Sequence, residues 1–282
     1  MNNNKEDTHF YLDFAPPEEV VAVLKVLSSE CSLTTKEISN ILKDSYGFEM
    51  QKDKTYSPRR LFDLGLAIQE RKRKGSVVYR LSERGLKVQN ILGVDSPLAM
   101  DLMHYLHYTG HNNEPHKRKY LWSYRKCCEI IWDNMRLIKY SVVASSIQSE
   151  MQERFPWLDY GKRAGARFDN TAASRVAQWL RVLEPTPIDQ VGSPLILRTI
   201  DKFELALLAL DEAYRSRSYT YGDPVIMDDE FIRQVSAVFF LDQDCCAALL
   251  KIGARINQNV KISDTLTGAS INLLKPFKIE DM

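Results

Sequence analysis

Ser57-Pro58-Arg59-Arg60-Leu61-Phe62-Asp63-Leu64-Gly65-Leu66 is the stretch on which the reading of this chain turns. Ser57 followed by Pro58 has the form of a helix cap and a first helical position, because proline lacks the N–H that position would leave unpaired. Leu61 and Leu64 then share one face, and Gly65 supplies a stop. Two short runs follow, Ala67-Ile68-Gln69-Glu70-Arg71 and Val77-Val78-Tyr79-Arg80-Leu81. They flank Lys72-Arg73-Lys74-Gly75-Ser76, a hairpin tip with glycine for the turn. Ser82-Glu83-Arg84-Gly85-Leu86 opens the next helix, with Val88 and Ile91 on its apolar face.

Two helices are predicted upstream. Pro16-Pro17-Glu18-Glu19 starts one whose stripe is Val20, Val23, Leu24 and Leu27. Thr34 caps the other, with Glu37 three residues on completing a capping box, and Gly47 ends it. Three helices, a hairpin and a helix follow one another from about Phe14 to Leu92. The motifs Ser57-x-x-Arg60-Leu61-x-x-Leu64-Gly65-Leu66 and Leu81-Ser82-Glu83-x-Gly85 resemble the third helix, wing and following helix of the winged helix-turn-helix superfamily, as in many bacterial regulators. The loop from Gly47 to Thr55 departs from that pattern, being longer than the usual turn between helices two and three. The resemblance implies a third helix in the major groove and a wing along the phosphate backbone.

Charge is distributed to match. The chain of 282 residues has a net charge of +1, yet Lys52 to Arg80 carries nine cations and three carboxylates, a net +6. The DNA-contacting candidates are Lys52, Lys54, Ser57, Arg59, Arg60, Arg71, Lys72, Arg73 and Lys74. Arginine suits bidentate contact with guanine, whereas the hairpin cations suit phosphate neutralisation. Lys117, Arg118 and Lys119 open a second basic run that reaches Lys126 with aromatics interleaved. Trp122 in it reads either as a base-stacking surface or, more simply, as the core side of an amphipathic helix. Arg175 completes the set. It lies in a helix read over Thr171–Leu183, before a strand read at Leu195–Arg198, an order that echoes the first module.

The fold class expected is therefore mainly α with short β-hairpin wings. A flexible tail spans residues 1–8 and a winged helix spans 9–94. Residues 95–200 are helical, read either as a second winged-helix-like module or as plain helices. Residues 201–282 form a helical C-terminal domain with a terminal hairpin between Val260-Lys261-Ile262 and Ser270-Ile271-Asn272-Leu273. No apolar run is long enough to span a bilayer, and Met1–Asp7 has no apolar core of a secretory signal, so a cytoplasmic protein without membrane contact is expected.

No metal or cofactor is expected. His104, His107, His111 and His116 cluster, but without the H-E-x-x-H form or a carboxylate partner. Asp228, Asp229 and Glu230 fit the start of a helix, where the dipole favours acids. Gly161-Lys162-Arg163-Ala164-Gly165 lacks the phosphate-loop pattern. Cys31, the pair Cys127-Cys128 and the pair Cys245-Cys246 read as reduced thiols, mostly buried. The function that follows is a non-enzymatic, double-stranded-DNA-binding protein, a transcription regulator or an accessory subunit of a DNA-handling system. Its acid-dotted C-terminal region would serve a homodimer or a protein partner. The alternatives are an adaptor whose winged helices dock proteins, and a metal-dependent nuclease-type enzyme.

Overall fold

The computed structural model describes residue 10 and residues 15–50, 55–72, 75–112, 119–160, 166–265 and 268–282. They form a mainly helical protein with two small antiparallel three-stranded sheets, divided into two compact units. The first unit comprises Met1–Leu183 and Ile188–Ser193; the second comprises Glu184–Pro187 and Pro194–Met282.

The first unit opens with helix α1 (Pro17–Val26), which has proline in its first turn beside Glu18 and Glu19. Strand β1 (Leu33–Thr34) leads into α2 (Thr35–Tyr46). The capping box is formed: the Glu37 amide donates to the Thr34 hydroxyl at 3.2 Å, and the Thr34 amide donates to the Glu37 carboxylate at 2.6 Å. Gly47 ends α2 in the left-handed region at φ 63°, a conformation that glycine adopts without a side-chain clash. Helix α3 (Tyr56–Asp63) follows. It does not begin as the sequence suggests, because Ser57 lies inside it and caps nothing. The Ser57 hydroxyl instead donates to the buried Glu19 carboxylate at 2.6 Å and ties α3 to α1.

Strands β2 (Ala67–Arg71) and β3 (Val77–Leu81) pair in register, Gln69 opposite Tyr79, and β1 adds to the other edge of β3. Ser82 then caps α4 (Glu83–Val94) by accepting from the Gly85 amide, while its hydroxyl donates to the Gly65 carbonyl at 2.6 Å. Val20, Leu24, Ile38, Leu42, Leu61, Leu66, Val78, Leu81 and Val88 close one core. Gln89 completes it by donating to the Leu24 and Leu27 carbonyls, which the end of α1 leaves without helical partners.

Helix α5 (Ser96–Thr109) follows α4 without a linker, since Asp95 both closes α4 and caps α5. After it come α6 (Lys119–Asn134), α7 (Tyr140–Arg154) and α8 (Asn170–Arg181), the last capped by Asp169. All of these belong to the same unit as α1–α4. The strand read at Leu195–Arg198 is not formed; one isolated parallel bridge joins Arg198 to Leu241. The Arg198 backbone is taken up there instead, its amide donating to Phe240 and its carbonyl accepting from Asp242.

In the second unit α9 (Phe203–Ser216) is the central element, buried continuously from Leu205 to Tyr214. Strand β4 (Pro224–Ile226), α10 (Asp229–Ala237), α11 (Gln243–Ile256), β5 (Val260–Thr265) and β6 (Gly268–Leu273) surround it, with strand order β4-β6-β5. The terminal hairpin pairs Val260 with Leu273 and Ile262 with Ile271. β4 has no counterpart in the sequence reading. The Tyr214 hydroxyl lies 2.9 Å from the Asp223 carbonyl and 3.1 Å from the Leu273 amide, which joins α9 to the sheet. Gly253 lets α11 approach α9, for a Cβ there would stand 2.8 Å from Leu207 Cδ2.

A sharper test of backbone fit comes from two glycines of α4. A Cβ on Gly85 would lie 1.8 Å from the Leu66 carbonyl oxygen, whereas Gly93 has open space around it. Gly85→Ala is expected to destabilise the protein by at least about 3 kcal/mol, because backbone must move. Gly93→Ala is expected to stabilise by about 0.5–1 kcal/mol through helix propensity. Urea unfolding of the two variants measures both.

Candidate nucleic-acid interface

The hairpin sorts its side chains by strand alternation. Ala67, Gln69 and Arg71 share a face with Leu81, Tyr79 and Val77, and the opposite face carries Ile68, Glu70 and Arg80. On that opposite face Arg80 Nε donates to Glu70 at 3.0 Å, so its charge is locally balanced. Arg71 is exposed on the other face. Arg59, on α3, is close enough to Tyr79 for its charge to oppose the upward shift that burial gives the Tyr79 phenol. Lys72, at the end of β2, is exposed and lies near Glu37 at the start of α2. The Glu37 carboxyl is held below its ordinary range, first by its hydrogen bonds to Thr34 and then by Lys72. Arg71 and Lys72 are thus exposed cations at the tip end of the hairpin, where Arg71 pairs with Val77 in the last rung before the turn, and Arg59 is an exposed cation on α3 near Tyr79. Neither Arg59 nor Arg71 is paired with a carboxylate of a described residue.

Three other candidates do not belong to this surface. Ser57 is fully buried and bonded to Glu19. Arg60 is 2% exposed, with its guanidinium 4.0 Å above the Tyr120 ring of α6 and with Nε and Nη1 left without hydrogen-bond partners. Lys119 is fully buried, its ammonium 5.8 Å from the Phe155 ring. All three are buried: Ser57 by its bond to Glu19 of α1, and Arg60 and Lys119 at the first turn of α6. Arg175 is half-buried on α8 and gives an N–H to Gln178 at 2.8 Å. Lys52, Lys54, Arg73, Lys74, Lys117 and Arg118 lie outside the described residues, as do His116 and the Gly161–Gly165 loop.

Trp122 belongs to the interior, meeting Phe10 and Phe155 edge-on with centroids 6.0 and 5.3 Å away. The histidines of α5 are interior too. His104 Nδ1 lies 2.8 Å from the Tyr124 hydroxyl, and His107 Nδ1 lies 2.8 Å from the Met103 carbonyl. Burial and then the Arg60 charge hold the His107 imidazole well below its usual range, so it stays neutral. Among the described residues no group of three or more His, Cys, Asp or Glu is arranged to hold a metal ion. The acids at the start of α10 have structural partners: Asp228 caps the helix and Glu230 pairs with Arg217 at 2.7 Å. All five cysteines are free thiols, and burial raises Cys246 to about 11.

His111 is lowered from 6.5 to about 4, mainly by burial and then by Arg125. Its folded form therefore takes up a proton later than its unfolded form. The stability it contributes is present above pH 6.5 and is lost as the pH falls toward about 4. His111→Gln is expected to flatten the fall of the urea midpoint across that window, relative to the parent protein.

The chain matches no protein-family model and has no significant match to a curated protein.

Proposed function

We propose that the segment from Ala15 to Val94 is a winged helix-turn-helix module that binds double-stranded DNA, in a transcription regulator or an accessory subunit of a DNA-handling system. The observation that carries this is the set of exposed cations Arg71 and Lys72 at the tip end of a β2–β3 hairpin, with Arg59 on the preceding helix, while the hairpin's own ion pair stands on the opposite face. The order α1-β1-α2-α3-β2-β3-α4 and the third strand added by β1 support the module reading. Helix α3 has eight residues and Arg59 alone is exposed, so it offers few side chains for reading base edges. The binding proposed is accordingly governed by phosphate contacts and duplex shape more than by sequence. Five free thiols, three of them buried, are in keeping with a cytoplasmic setting. A homodimer or protein partner on the second unit remains part of the proposal.

Phosphate neutralisation releases counterions, so affinity for a blunt duplex is expected to fall steeply with salt. Replacing Arg59, Arg71 and Lys72 together by alanine is expected to lower the slope of log affinity against log salt by about 2.7, at roughly 0.9 per phosphate contact. Salt-titrated anisotropy on a fluorescent duplex provides the measurement. A parent protein that does not bind at low salt, or a triple variant that binds as well as the parent, would remove the proposal.

A further inference from the structure

Helix α11 of the second unit buries one face. Cys246, Leu249, Leu250 and Gly253 point inward, and Gly253 brings the helix against Leu207 of α9. The outer face of a surface helix is ordinarily polar throughout. Here Ala248, Ile252 and Ile256 follow one another at four-residue spacing and make one apolar ridge along it. All three are exposed, Ile252 by 42% and Ile256 by 65%. At the end of the helix Ile256 lines a recess with Phe203 and Phe277, so the apolar surface continues past the last turn.

Charges flank the ridge in a fixed order. Asp244 lies in the first turn, and Lys251 and Arg255 lie in the last two. All three are exposed, and none has an ion pair or side-chain hydrogen bond to a described residue. They cannot satisfy one another along the helix. Asp244 and Lys251 are two turns apart, beyond the reach of a three- or four-residue pair. Lys251 and Arg255 are like charges at four-residue spacing, which is unfavourable. The helix dipole favours an acid at the start and cations at the end. The same order makes the face complementary to a copy of itself that runs the opposite way.

We infer that α11 is a homodimer contact, in which two copies of the chain pack this face antiparallel about a two-fold axis midway between Leu249 and Leu250. In that register Asp244 of each copy stands opposite Arg255 of the other, and Ile252 meets Ala248, whose small side chain leaves room for it. Parallel packing is ruled against by charge, since it would set Asp244 against Asp244 and Arg255 against Arg255. The contact is isologous, so each favourable pair occurs twice. A helix of 14 residues is about 21 Å long, which places the contact at the small end of specific interfaces. A dissociation constant on the order of 10 μM is expected. The inference rests on the reading of the second unit as partner-binding and names the partner as a second copy; it needs no DNA.

Sedimentation equilibrium of the full chain without DNA, from about 1 to 200 μM, tests this. The parent mass should rise from 32.5 kDa toward twice that value with concentration. Ile252→Glu should stay at the monomer mass throughout. Asp244→Arg and Arg255→Asp should each dimerise at least about tenfold more weakly, because each sets like charges together. An equal mixture of these two variants should associate about as well as the parent, since every facing pair is then of opposite sign. All the replaced side chains are exposed, and urea midpoints close to the parent's verify that the variants fold. A parent that stays monomeric, an Ile252→Glu variant that dimerises like the parent, or a charge-swapped mixture that does not associate overturns the inference. So does binding of a different protein through Ile252 by a parent that remains monomeric on its own. Failure of the parent to bind a blunt duplex counts against the hairpin proposal and leaves these masses unchanged, so the two failures are told apart.

Discussion

A guanidinium lying on a phenol ring inside the protein organises the first unit. Arg60 is almost fully buried and its charge sits 4.0 Å from the Tyr120 centroid. Removing a cation from water is costly, and the ring quadrupole offsets only part of that cost. With Nε and Nη1 left without hydrogen-bond partners, the contact holds only because the surrounding packing does not let the side chain out. Its consequences spread outward. One side of α3 is committed to α6, the charge adds to burial in keeping the neighbouring His107 neutral, and Arg59, one residue earlier, is left as the exposed cation of α3.

Similar constraints hold the second unit. Arg198 is fully buried and donates to the carbonyls of Phe239 and Glu184 at 3.1 and 2.8 Å, pinning backbone that no helix or strand satisfies. The Asp211 carboxylate accepts from Arg215, from the Tyr221 hydroxyl and from the Phe277 amide, which fastens the chain end onto α9. In both units an ionisable group that looks like surface in a linear reading has become a core element. In low-dielectric surroundings such groups are stable only when partnered, so they specify one arrangement of the neighbouring backbone.

Local order was readable in the sequence wherever the cause is local. The capping box of Thr34 and Glu37, the helix start at Ser82, the β2–β3 hairpin around Gly75 and the terminal β5–β6 pairing all depend on residues a few positions apart. The mainly α character with short hairpins follows from the same signals. Reading failed where distant residues decide. Ser57 looks like a cap, but Glu19 lies 38 positions away and claims its hydroxyl. Leu195–Arg198 has a strand's composition, yet Arg198 is drawn to Phe240 and Asp242. β4 was missed because Pro224-Val225-Ile226 is too short to show an alternating pattern.

For the candidate interface the division is the same. Sequence alone established that a cluster of cations surrounds a short helix and a hairpin, because charge density and turn chemistry are properties of adjacent residues. It could not tell Arg59 from Arg60, or Lys72 from Lys119. Each of these pairs is chemically alike, and only tertiary packing buries one member and exposes the other. Trp122 is decided likewise: an aromatic beside basic residues, it is enclosed by Phe10 and Phe155. Which charges and which rings face water is set by long-range burial, and so belongs to the tertiary structure.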